Sequence, residues 1–188
     1  MTSFERMLAT QPADRLSALP PYLFAEMDRK KQRRLAKGLE VIDLGIGDPD
    51  LPTPDAILDY MARAARDPHN HRYPPSRGLP AFRQAVAAWY QRRHGVTLDP
   101  ETEITNLIGS KEGIGHLPLA LVNPLEEVWI PDPGYPVYLS GTLFAGGAPR
   151  FAPLTAANGF LPDLDAIEKD GLDRARLVFV NYPNNPTG

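Results

Sequence analysis

The 188-residue chain contains no cysteine. Disulfide staples, thiolate metal ligands and thiol nucleophiles are therefore excluded, and the composition suits a reducing compartment. No window approaches the ~20 apolar residues that cross a bilayer, and residues 1–14 lack a basic stretch leading into an apolar one. A soluble, cytoplasmic protein without a membrane partner is expected. An excess of one charge is also missing. Twenty basic and 23 acidic side chains leave a net charge of −3, and the pI of about 5.8 lies far below that of a nucleic-acid binder. Glycine fingerprints for nucleotides fail too. Gly45-Ile46-Gly47 is followed by Asp50 where a third glycine belongs, and Gly109-Ser110-Lys111 does not have the spacing of a Walker loop.

Proline, in contrast, is abundant at 21 residues, about twice the ordinary ~5%. The prolines alternate with apolar runs and punctuate a folded chain. Within 16–39 an amphipathic helix is predicted after the turn at Pro20-Pro21, with the basic run 29–34 as its solvated face. A short strand over 41–44 then enters an extended, proline-rich loop. Apolar residues at Ile57, Leu58, Met61, Ala62 and Ala65, and again at Leu79, Phe82, Val86, Trp89 and Tyr90, predict helices over 55–66 and 79–92, the second stopped by Gly95. Alternation follows: strand 104–108, helix 111–122, strand 128–130, helix 135–145, strand 150–153, helix 163–169, strand 177–181. Such alternation predicts an α/β fold with a mostly parallel sheet. A boundary is expected near Asp48. Residues 1–48 would form an amino-terminal arm and part of a small domain, and 49–188 the first part of a larger one. Because the last strand runs into a loop at the terminus, that larger domain is expected to be incomplete.

Three predicted strand ends carry chemistry. Gly109-Ser110-Lys111-Glu112-Gly113 starts a helix, where free N–H groups and the helix dipole suit a phosphate; Ser110 could equally be a helix cap. Pro131-Asp132-Pro133-Gly134-Tyr135-Pro136 puts an aromatic ring at the sheet edge where open α/β sheets bind ligands, though Tyr135 could simply pack on the sheet. The loop 181–188 offers side-chain amides, or forms a plain turn. His69 with His71, Asp48 with Asp50 and Glu126 with Glu127 are read as surface or turn groups, and no metal is expected.

Taken together, these segments resemble the fold-type I aminotransferases of class I/II, which depend on pyridoxal 5′-phosphate. The resemblance extends from Tyr22-Leu23-Phe24 through Leu44-Gly45-Ile46-Gly47-Asp48-Pro49 and Tyr73-Pro74-Pro75-Ser76-Arg77-Gly78-Leu79 to Asn184-Asn185-Pro186-Thr187-Gly188. Within the family, the segments 109–113 and 132–136 are most similar to LL-diaminopimelate aminotransferases. The segment 73–78 departs from the Tyr-Gly-x-Glu-Gln-Gly form of one branch of those enzymes.

The resemblance implies a pyridoxal-phosphate-binding large domain with its parallel sheet in an α/β/α sandwich, truncated here, plus an arm from the small domain. It implies that Ser110 and Lys111 line the cofactor phosphate, that Tyr135 stacks on the pyridine ring, and that Asn185 donates to the phenolic oxygen. Tyr73 would reach the partner's cofactor phosphate across a homodimer, while Gly47 and Tyr22 would lie at the substrate. The implied reaction is amino transfer between an amino acid, LL-diaminopimelate first, and a 2-oxo acid. The Schiff-base lysine is expected downstream of Gly188, because Lys30, Lys31, Lys37, Lys111 and Lys169 do not match its position. Residues 1–188 alone would then be inactive. Two other readings keep the cofactor: a carbon–sulfur lyase, and a non-catalytic binding fragment.

Overall fold

A computed structural model describes residues 13–45, 47 and 49–188. The start of the chain and the turn charge Asp48 lie outside the described residues. The described residues form two compact units, one within 22–106 and one of 107–188 together with 13–21.

The second of these units holds a three-stranded parallel sheet. Strands β1 (Glu127–Asp132), β2 (Ala148–Pro153) and β3 (Ala175–Val178) are ordered β2-β1-β3. The β1–β2 ladder runs in register from Glu127 opposite Ala148 to Asp132 opposite Pro153, whereas β3 pairs through a bulge at Glu127 and Val128. Side chains alternate across the pleat. Val128 and Ile130 join Val122 and Tyr138 in one buried cluster, with Ile114, Leu177 and Phe179 packed on it. Trp129 points to the opposite face, with Ala152 and Ile167. Its indole Nε1 is buried without a protein partner.

Helices cover both faces of this sheet. A single turn, α1 (Asp14–Ser17), belongs to this unit and is tied to it by Arg15 Nη1, which donates to Phe144 O at 3.4 Å. The other unit supplies α2 (Leu23–Leu35), α3 (Asp55–Arg66) and α4 (Pro80–His94). Helices α5 (Ser110–Leu121) and α6 (Pro136–Phe144) contribute Ile114 and Tyr138 to the first cluster, and α7 (Leu164–Lys169) contributes Ile167 to the second. Asp163 caps α7, its Oδ1 accepting from Ala166 N at 3.0 Å. The close pairing of α5 and α6 rests on glycine: a Cβ on Gly141 would lie 3.0 Å from Gly115 O.

Two expected strands are absent. Residues 41–44 and 104–108 have no regular structure, and Ile42, Leu44 and Ile108 are 89%, 92% and 98% exposed. A strand exists only when its backbone groups pair with a neighbour, and no described segment pairs with either stretch. The amphipathic helix expected after the turn at Pro20-Pro21 is α2, which begins at Leu23 and ends at Leu35. In contrast, α3 occupies the expected 55–66, and α4 ends at Gly95 with φ 69°. The apolar stripes of α3 and α4 nevertheless remain open: Ile57, Met61, Phe82 and Trp89 are exposed.

Candidate functional site

Sequence-expected site residues fall in both units. Ser110 and Lys111 form the first two positions of α5 and are exposed. No side chain caps this helix, so its first N–H groups are available to a ligand. Glu112 instead reaches back, its Oε2 accepting from Ile108 N at 2.7 Å. Gly109 precedes the helix with φ 167°, an extended conformation. Nothing lies within 4 Å of where its Cβ would stand, leaving room for an anion against the backbone.

Tyr135 is the residue before α6. Its half-buried ring meets Tyr138 edge-on at 5.8 Å, and Tyr138 stacks on Phe179 at 4.6 Å. Burial pushes the Tyr138 phenol pKa up, and the neighbouring Tyr135 adds to the effect. Thr142 secures the helix by donating its hydroxyl to Tyr138 O at 2.8 Å. Before Tyr135 the chain turns so tightly that a Cβ on Gly134 would come within 2.3 Å of Pro131 O.

Helices α5 and α6 lie side by side. A Cβ on Gly115 would lie 3.5 Å from Val137, and one on Gly141 would lie 3.3 Å from Pro118. The two helices thus pack against each other through these glycines. Asn185 joins them through its neighbour. Asn184 is only 4% exposed, and its Nδ2 donates to Pro133 O at 3.1 Å. Asn185 itself is exposed. A helix start open to anions, an aromatic ring and a side-chain amide form a donor set suited to a phosphorylated, flat heterocycle with an acidic hydroxyl.

The remaining expected residues lie in the other unit. Tyr22 precedes α2, its ring 5.6 Å from that of Phe24. Gly47 is exposed with nothing near its absent Cβ, and Tyr73 is fully exposed. His69 is used locally, its backbone N–H and its ring Nδ1 each 2.9 Å from Asp67 Oδ1.

Two functional candidates escaped the sequence reading. Asn184 was hidden beside Asn185, although adjacent amides after a strand are a signal in themselves. Arg83 was given no role from the sequence, yet it is buried and donates to Arg77 O and Gly78 O at the end of the loop that carries Tyr73. Its position three residues before Val86 and seven before Tyr90, in line with apolar residues, was the available signal.

Two concavities among the described residues lie elsewhere. One of about 890 Å³ separates α2 from residues 39–45, lined by Lys30, Lys31, Lys37, Val41 and Ile42. Another of about 150 Å³ lies on the Trp129 face, beside Leu154, Ile167 and Val180.

The sequence model of the family described as aminotransferase class I and II matches residues 40–188. The chain is 59% identical over 178 residues to LL-diaminopimelate aminotransferase of Moorella thermoacetica, covering 95% of this chain and 46% of the relative. It is 57% identical over 175 residues to the protein of the same name in Aquifex aeolicus, covering 93% and 45%. Among solved structures, substrate-bound BacF from Bacillus subtilis is similar with a TM-score of 0.85 at 39% identity, over 94% of this chain and 45% of that one. The chain thus spans about half the length of the curated relatives it matches.

Proposed function

Because this chain belongs to the class I and II aminotransferase family, we propose that it forms part of a pyridoxal-phosphate enzyme moving an amino group between an amino acid and a 2-oxo acid. LL-diaminopimelate is the first candidate substrate, supported by the identity of 59% to an enzyme bearing that name. One observation supports the reading: Asn184 Nδ2 donates to Pro133 O at 3.1 Å, which brings the Asn185 loop to the loop that bears Tyr135.

When bound, the cofactor supplies an aldehyde that exchanges amino groups and a ring that takes up electrons. The protein's own groups hold and orient it. Ser110 and Lys111, with the N–H groups of α5, bind the phosphate. Tyr135 covers the ring. Asn185 donates its amide to the anionic ring oxygen. Gly47 lets the backbone approach the substrate carboxylate, Tyr22 lies near the substrate side chain, and Tyr73 reaches a partner subunit's cofactor phosphate.

In this reading residues 49–188 are the first part of a fold-type I large domain, an α/β/α sandwich, and residues 1–48 are an arm from the small domain. The exposed stripes of α3 and α4 support a further layer over them, consistent with a longer protein and with a homodimer. The lysine that holds the cofactor lies outside residues 1–188, so these residues alone do not turn over. The compartment is cytoplasmic.

The test is twofold. Incubation of residues 1–188 with pyridoxal phosphate and borohydride, followed by peptide mapping, is expected to leave all five lysines short of stoichiometric labelling. Full labelling of one would overturn the assignment of that role to another segment. For the intact protein, amino transfer from LL-diaminopimelate to a 2-oxo acid is expected; thiol release in its place would point to a carbon–sulfur lyase.

A further inference from the structure

We propose that Asn184 is a positioning residue, locking the loop that carries Tyr135 to the loop that carries Asn185 so that ring and amide meet the cofactor as one rigid set. The proposal rests on the cofactor roles given above to those two residues.

The loop around Asn184 is exposed, yet Asn184 is buried. Its amide uses Nδ2 in two directions, donating to Pro133 O at 3.1 Å and to Thr187 Oγ1 at 2.8 Å. Pro133 lies two residues before Tyr135, and Thr187 two residues after Asn185. The turn is closed behind it by Gly188 N, which donates to Asn184 O at 2.7 Å. On the Pro133 side the chain turns tightly: a Cβ on Gly134 would lie 2.3 Å from Pro131 O. A planar amide with two N–H donors is the side-chain group that reaches a carbonyl and a hydroxyl together at this size. Its Oδ1 is buried with no partner among the described residues, so burial of this side chain rests on its two Nδ2 bonds. A carboxylate of the same shape would face the Pro133 carbonyl with no donor.

Asn184→Asp in the intact protein tests this. Hydrogen exchange at Gly134 and Tyr135, and at Asn185, Thr187 and Gly188, is expected to quicken about tenfold in both loops, with α4 unchanged. Affinity for pyridoxal phosphate is expected to fall about tenfold, while affinity for inorganic phosphate, held by the α5 start, stays constant. Exchange unaltered in either loop, or equal loss of affinity for both ligands, would overturn the proposal. Should Asn184→Asp fail to fold, Thr187→Val decides. Faster exchange in both loops supports the lock, and faster exchange in the 185–188 loop alone refutes it. If the wild-type protein binds no pyridoxal phosphate, the site reading fails, while the exchange data still judge the lock.

Discussion

Arg83 Nη2 donates to Glu101 Oε1 at 2.8 Å, joining a guanidinium that is 3% exposed to a carboxylate at the surface. The same arginine donates through Nε to Pro100 O at 2.7 Å and through Nη1 to Arg77 O at 3.0 Å and Gly78 O at 2.7 Å. Arg77 completes the cluster by donating to Glu101 O and to Glu101 Oε2. One buried fork thus fastens the end of the 73–78 loop to the turn at 99–103. That turn is itself built by Asp99, which accepts from Glu101 N and Thr102 Oγ1.

Arg83→Ala is expected to cost about 2 to 3 kcal/mol of stability, because several carbonyls lose a charged donor. Arg83→Lys is expected to recover part of that, since a point charge cannot reproduce the fork. Urea unfolding followed by circular dichroism measures both. An alanine variant within about 0.5 kcal/mol of wild type would remove the cluster from the account of loop position.

Gly134→Ala and Gly109→Ala form a contrasting pair. The first pushes a methyl against Pro131 O and is expected to lower stability by about 1 to 3 kcal/mol. The second meets open space in extended backbone and is expected to fold normally but to bind pyridoxal phosphate more weakly. Thermal melting and ligand titration separate the two effects; a destabilised Gly109→Ala contradicts the geometry.

Tyr135→Phe is expected to retain most cofactor affinity, and Tyr135→Ala to lose about tenfold, since the ring face rather than the hydroxyl is assigned the contact at about 0.5 to 1.5 kcal/mol. Fluorescence titration with pyridoxal phosphate provides the comparison. Equal losses in the two variants would shift the role to the hydroxyl.

Lys111→Ala is expected to weaken pyridoxal phosphate binding by about tenfold and to leave pyridoxal, which lacks the phosphate, unaffected. Ser110→Ala is expected to have little effect on stability, as its side chain makes no capping bond. Titrations with both ligands at two salt concentrations test this, and loss of pyridoxal binding in Lys111→Ala would argue against a phosphate role.

Acid is expected to destabilise the fold. The Asp99 carboxyl is held below its ordinary pKa by the Glu101 N–H and the Thr102 hydroxyl. The Asp67 carboxyl is lowered by the His69 N–H and ring, and the Asp43 carboxyl by Lys31 and the Gly45 N–H. A carboxyl lowered in the folded state contributes stability above its unfolded pKa, and loses it as pH falls through the folded one. Melting temperature should therefore decline as pH drops below the ordinary aspartate range. The decline should be shallower in Asp99→Asn; an identical slope would show that Asp99 does not contribute.

Much of the helical structure was legible from local pattern. The stripe from Ile57 to Ala65 and the stop at Gly95 correspond to α3 and the end of α4 within a residue or two. Helices close their own hydrogen bonds, so a sequence window contains nearly all the information they need. The segments 41–44 and 104–108 were apolar enough for strands, but a strand's bonds come from a neighbour that the window does not contain. The roles of Arg83 and Asn184 were harder to read for a related reason. Their partners are spread from Arg77 to Glu101 and from Pro133 to Thr187, and only folding brings those acceptors to one side chain.

The sequence by itself determined the α/β class, the family and the segments that bear candidate chemistry, because glycine, proline and apolar spacing act through near neighbours. Tertiary structure alone decided which apolar runs became strands, which of two adjacent asparagines is buried, and that α5 and α6 pack together through Gly115 and Gly141. Each of those outcomes depends on pairing, burial or packing between residues far apart in the chain.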